Sequence, residues 1–96
     1  MKATLRFRQR VVLSGGALVE MIIWDLPGAS ADRPHGIKYR LYCGKDGKCL
    51  VRYDNESGKG DHVHYGEIES TYAFKDWEQL VVDFLADVAR LTGERL

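Results

Sequence analysis

One stretch of this chain, residues 77–91, repeats its apolar side chains at helical spacing, and nearly everything before it alternates. Trp77, Leu80, Val81, Phe84, Val88 and Leu91 fall along one stripe of a helix, leaving Glu78, Asp83, Asp87 and Arg90 to face water. Asp76 is a good N-cap, Gln79 three residues later completes a capping-box pattern, and Gly93 ends the helix. A single amphipathic helix cannot bury its own stripe. It needs a flat apolar partner, and the alternating segments supply one.

Residues 3–13 alternate Leu5, Phe7, Val11 and Leu13 with Arg6, Arg8 and Arg10, the two-residue period of a strand. Ser14-Gly15-Gly16 is a turn, and a second strand at about 17–25 puts Val19, Met21 and Ile23 opposite Glu20, Ile22 and Trp24. Pro27 to Gly36 reads as a polar loop, with His35 as a turn residue. A third strand sets Ile37, Tyr39, Leu41 and Cys43 against Lys38, Arg40 and Tyr42. A fourth sets Cys49, Val51 and Tyr53 against Leu50, Arg52 and Asp54. Of the two registers for this hairpin, a two-residue turn at Asp46-Gly47 pairs Cys43 with Leu50 and puts Arg52 on the apolar face. A three-residue loop with Gly47 left-handed pairs Cys43 with Cys49 and keeps the apolar sets together, so it is preferred. A short fifth strand around His62–Tyr65 follows, and Gly66 to Ser70 is read as a turn.

The expectation is therefore α+β: one domain over residues 1–96, an antiparallel sheet of about five strands, and a C-terminal amphipathic helix packed on one face. No apolar run approaches the ~20 residues that span a bilayer, and the first residues lack a signal peptide's apolar stretch, so a cytosolic protein is expected. Cys43 and Cys49 make neither a CxxC pair nor a zinc set and are expected as free thiols. Net charge is zero but unevenly spread. Through Tyr53 there are ten Lys/Arg to four Asp/Glu, and from Asp54 onward the ratio reverses. The basic half suits an anionic partner, although two solvated faces of opposite sign would give the same count.

Helix packing covers one sheet face and leaves the other open. Alternation gives that open face Arg6, Arg8, Arg10, Ile22, Trp24, Lys38, Arg40, Tyr42, Leu50 and Arg52. Cations interleaved with aromatics suit RNA, with phosphates on Arg6, Arg8, Lys38, Arg40 and Arg52 and bases stacked on Trp24 and Tyr42. Exposed Ile22 and Trp24 fit a protein partner equally well.

The densest polar constellation runs from Tyr53 to Gly66. Gly58 and Gly60 allow close backbone approach, Asp54 and Asn55 begin the loop, and Asp61 is expected to order it by accepting backbone amides. His62 and His64, two apart on a strand, point the same way about 6–7 Å apart at the Cα atoms. With Lys59 and Arg52 they supply base, acid and phosphate charge for metal-free RNA cleavage at the 2′-hydroxyl. Two exposed structural histidines are the competing explanation. A metal set of Asp54, Asp61, His62 and His64 is disfavoured, because adjacent Asp61 and His62 point to opposite faces of a regular strand. No metal or cofactor is assigned.

His35-Gly36-Ile37-Lys38-Tyr39-Arg40, Tyr53-Asp54-Asn55, Gly58-Lys59-Gly60-Asp61-His62-Val63-His64, Tyr72-Ala73-Phe74 and Asp83 to Val88 together resemble the TumE-like toxins of bacterial toxin–antitoxin pairs. The resemblance covers nearly the whole chain. It implies the toxin half of a two-gene module whose antitoxin partner carries a helix-turn-helix DNA-binding domain. Position 63, often basic in that family, is Val63 here, which weakens phosphate contact or improves packing. Ribonuclease activity is common among small toxins and follows here by analogy only. A non-catalytic inhibitor acting through the open face, and a homodimer or antitoxin contact at Trp24, stay open beside it.

Overall fold

A computed structural model describes residues 3–31, 33–56 and 60–96. Six strands and one helix follow in order: β1 Thr4–Val12, β2 Leu18–Asp25, β3 Ile37–Lys45, β4 Lys48–Asp54, β5 His62–Tyr65, β6 Ile68–Thr71 and α1 Trp77–Thr92. The strands form one antiparallel meander in chain order, and α1 crosses the face built by β3 and β4. The α+β class holds, with one strand more than expected. Strand β6 is the addition: all four of its residues are exposed, so it carries no apolar alternation to read. A tight turn with Gly66 at φ 63° joins it to β5, a backbone angle that favours glycine.

Two bulges decide which side chains share a face. In β1 the pairing steps from Leu5↔Trp24 to Phe7↔Ile23, so Arg6 is an extra residue. Leu5 moves to the open face, and Arg6 leaves it to pair with Asp25 at 2.9 Å and lie over the Trp77 ring of the helix. The expected place of Arg6 on the open face is therefore corrected. In the β3–β4 hairpin the turn is the two-residue one, Asp46-Gly47, with both residues at positive φ, as a type I′ turn requires. Gly44 pairs with Cys49 and Cys43 with Val51, leaving Leu50 as the extra residue. Neither register anticipated from the sequence occurs. The bulge restores the apolar parity that the longer loop was invoked to save. It also packs Leu50 against the core and puts Cys49 opposite Gly44, on the other face from Cys43.

Val19, Ile23, Leu41, Cys43 and Val51 from the sheet meet Leu80, Phe84 and Val88 from α1 in a dry core. Burying a side chain such as Phe84 contributes about 2–3 kcal/mol. Val63 is buried in the same core, so packing accounts for an apolar residue at that position. Leu91, placed on the stripe by periodicity, is 37 % exposed.

Polar contacts fix the helix as well. Asp87, expected to face water, accepts hydrogen bonds from the Tyr53 and Tyr65 hydroxyls, and Asp83 accepts from Tyr72 at 2.6 Å. Asp76 caps the helix by accepting from the Gln79 amide at 2.7 Å. The Gln79 side chain turns instead to Asp83, so the reciprocal half of the capping box is not made. Beyond Gly93, Glu94 accepts from the Gly15 amide at 3.0 Å and ties the helix end to the β1–β2 turn.

Candidate functional site

Two cross-strand rows run over the open face. One passes through Arg8, Ile22, Arg40, Asp54, His62 and Thr71, and the next through Arg10, Glu20, Tyr42, Arg52, His64 and Glu69. Arginines thus lead from the β1 edge to the two histidines. Trp24 pairs with Leu5 and Lys38 across the neighbouring strands, the Lys38 ammonium 5.4 Å from the Trp24 ring. Arg40 lies over the Tyr42 ring at 5.4 Å. The Tyr42 hydroxyl covers Gly44, where a Cβ would stand 2.1 Å from it, so this aromatic platform depends on glycine. Of the sequence-predicted RNA contacts, Arg8, Lys38, Arg40, Arg52, Trp24 and Tyr42 share the face, and Arg6 does not.

At the far end of the rows Asp54 is 5 % exposed and His62 6 %, a burial that a charged residue sustains only with partners. Arg52 Nε faces Asp54 Oδ2 at 2.9 Å, and His62 Nε2 faces Asp54 Oδ1. His62 Nδ1 donates to the Gly60 carbonyl at 2.9 Å. Gly60 has φ 72°, a conformation suited to glycine. His64 stands edge-on to His62 with ring centroids 4.8 Å apart. Its Nε2 is 3.0 Å from the Glu69 carboxylate, which also lies 3.6 Å from His62 Nε2. Burial, and then the Arg52 guanidinium, holds His64 below the ordinary histidine range. These close contacts lack hydrogen-bond direction: Arg52 Nε, Asp54 Oδ1 and His64 Nε2 are buried without a directional partner.

Asp61 stands apart, in the bend just before β5 rather than on a regular strand. Its carboxylate accepts from Tyr39 Oη at 2.7 Å and His35 Nε2 at 3.1 Å. Side chains, not the backbone amides anticipated, are its partners. His35 is more than a turn residue: it stacks on Phe74 at 3.8 Å, and its Nδ1 accepts from the Ile37 amide, which leaves Nε2 as the donor. Asn55 is fully buried and ties β4 to β3, accepting from the Tyr39 amide and donating to the Ile37 carbonyl. These contacts hold Asn55 and Asp61 against His35 and the start of β3. Lys59 and Gly58 lie outside the described residues. Glu69 is the site residue that sequence reasoning missed. Its signal was available in the Gly66-Glu67 turn, which sets Glu69 opposite His64 once β6 is recognised.

The fold and site define a small α+β protein with a basic, aromatic-bearing sheet face that ends in a buried His/Asp cluster. The chain matches the toxin TumE family over residues 2–92 and belongs to it, which makes it the toxin component of a toxin–antitoxin system with an antitoxin as partner. No curated protein and no solved structure matches it. Among the described residues no helix is long and apolar enough to cross a membrane.

Proposed function

We propose that this toxin acts on single-stranded RNA laid across the open sheet face and cuts it at the cluster of Asp54, His62, His64 and Glu69. The observation that carries this is the pair of cross-strand rows. Arg8 and Arg40 in one, Arg10 and Arg52 in the other, lead toward His62 and His64. Trp24 and Tyr42 beside them offer ring faces for bases. A polar pocket of about 300 Å³ lined by Arg40, Arg52, Asp54, Glu56 and His62 has room for a phosphate group.

The reaction class is attack of a ribose 2′-oxygen on the adjacent phosphorus. The P–O5′ bond breaks, the 2′-hydroxyl proton departs, and a proton reaches the leaving 5′-oxygen. The products are a 2′,3′-cyclic phosphate and a 5′-hydroxyl. The histidine cluster borders the pocket where those protons move and acts through the imidazoles themselves or through a cation they hold. Arg52 and Lys59 offset the phosphate charge. The antitoxin, proposed to carry a helix-turn-helix domain, silences the toxin by covering the Trp24 side of this face.

RNA profiles of cells expressing the toxin without its antitoxin test the proposal. Fragments with 5′-hydroxyl ends are expected, and are expected to vanish with His64→Ala. Growth arrest with intact RNA would instead support a non-catalytic inhibitor that binds through the same face.

A further inference from the structure

We infer that Asp54, His62, His64 and Glu69 form a binding site for one divalent transition-metal ion, of which zinc is the type. The inference rests on the proposed function for its consequence but not for its geometry. One ligand atom each from Asp54, His62 and His64 lies within 4.8 Å of the others. Tetrahedral ligands about 2.0–2.2 Å from one ion stand roughly 3.3–3.6 Å apart, so the widest pair must close by up to about 1.5 Å while the short His62–Asp54 contact opens. Glu69 lies outside that trio, but its half-exposed carboxylate, 3.0 Å from His64 Nε2 and 3.6 Å from His62 Nε2, can swing in as a fourth ligand. Two imidazoles and two carboxylates are the donor set that borderline divalent ions prefer.

The way these atoms are held supports an ion more than a self-contained network. His62 presents its two ring nitrogens to two acceptors, the Gly60 carbonyl and the Asp54 carboxylate. With Nδ1–H donated to the carbonyl, a bare Nε2 would meet the carboxylate lone pair to lone pair, and a cation between them, metal ion or proton, relieves that. A ring fixed by a backbone carbonyl through one nitrogen while the other faces a ligand position is how metal-binding histidines are held. Asp54 Oδ1 and His64 Nε2 are buried without a directional hydrogen bond, which leaves both free to coordinate. Arg52 engages the other Asp54 oxygen, Oδ2, and so turns Oδ1 inward. Two carboxylate charges against one guanidinium leave the cluster net negative, as a cation site should be. Strand alternation counted against a metal because it separated Asp61 from His62. The site needs no Asp61, and Glu69 takes its place from β6.

In the bound form the two histidines would be ligands beside Asp54, and half-exposed Glu69 would yield its place to a phosphate oxygen or the attacking hydroxyl, which the ion would polarise. Full-length protein stripped with chelator and titrated with Zn²⁺ by calorimetry tests the site, with Co²⁺ absorption as a second probe. One ion per chain is expected, together with a higher melting temperature. Asp54→Asn and His64→Gln, each checked for fold by circular dichroism, should weaken binding more than tenfold, and Arg8→Ala should leave it unchanged. Absence of saturable binding, or binding indifferent to both substitutions, would overturn the inference. RNA cleavage by protein that binds no metal would overturn it while sparing the ribonuclease proposal. Metal bound one to one by a protein that leaves RNA intact would sustain it and remove that proposal.

Discussion

Tyr53, at the centre of the sheet, donates its hydroxyl to Asp87 on the helix, and Tyr65 donates to the same carboxylate oxygen at 2.7 Å. Burial opposes ionisation of Asp87, but the hydrogen bonds from Tyr53, Tyr65 and Arg90 outweigh it and hold the carboxyl below its ordinary range. Burial and the same contact push the Tyr53 phenol far up, so it stays protonated as the donor and is no catalytic base. Because the folded-state pKa of Asp87 is depressed, its contribution to stability is complete above about pH 4 and fades as pH falls through the folded value. Asp87→Ala should cost about 1–3 kcal/mol by urea denaturation at pH 7, because two hydroxyls lose their acceptor. That cost should shrink toward pH 3.

Arg6 and Arg8 are two residues apart and serve different ends. Arg8 belongs to the open face, whereas Arg6 is held by Asp25 and the Trp77 ring. Arg8→Ala and Arg40→Ala should each weaken RNA binding and lower the salt dependence of log K by about 0.7 per lost phosphate contact. Arg6→Ala should leave both unchanged and reduce stability by under about 1 kcal/mol, since the ion pair is exposed. Fluorescence anisotropy across a salt series reads the difference.

Cys43 and Cys49 lie on opposite faces, Cys43 fully buried and Cys49 half-buried. Burial pushes both thiols up, with Arg52 and Arg40 drawing Cys49 partly back. Iodoacetamide at pH 8 should label Cys49 slowly and Cys43 only after unfolding, as mass spectrometry would record. Bound RNA should protect Cys49, because its neighbours Arg40 and Arg52 would be covered.

Asn55 stitches β4 to β3 from a fully buried position. Asn55→Ala strands the Tyr39 amide and the Ile37 carbonyl, at a cost of about 2–4 kcal/mol. The Tyr39 amide should then exchange its hydrogen much faster, measurable by NMR.

Periodicity was enough to read the layers of this fold, because burying one face imposes a period on whatever forms it. Trp77, Leu80 and Phe84 declared a helix, and Ile37, Tyr39 and Leu41 declared a strand. What escaped lies where that constraint lapses. A bulge adds one residue without changing composition, so Arg6 and Leu50 changed sides unannounced. Strand β6 is exposed on every residue, which hid Glu69 and with it one corner of the histidine cluster. Asp87 looked like a solvated helix residue because its partners, Tyr53 and Tyr65, lie more than twenty residues away in sequence. His62 and His64 were readable as a pair from their spacing alone. Their carboxylate partners follow only from the pairing of β4, β5 and β6.

Cleavage of a short end-labelled single-stranded RNA by the purified toxin, with divalent metal supplied, tests the role of the histidine cluster most directly. The wild-type chain should release products ending in a 2′,3′-cyclic phosphate. His64→Gln should slow the release by ~10²–10⁴-fold while RNA affinity and fold stay intact. Wild-type rates in His64→Gln, or RNA left whole by a folded wild-type toxin that still arrests growth, would contradict it.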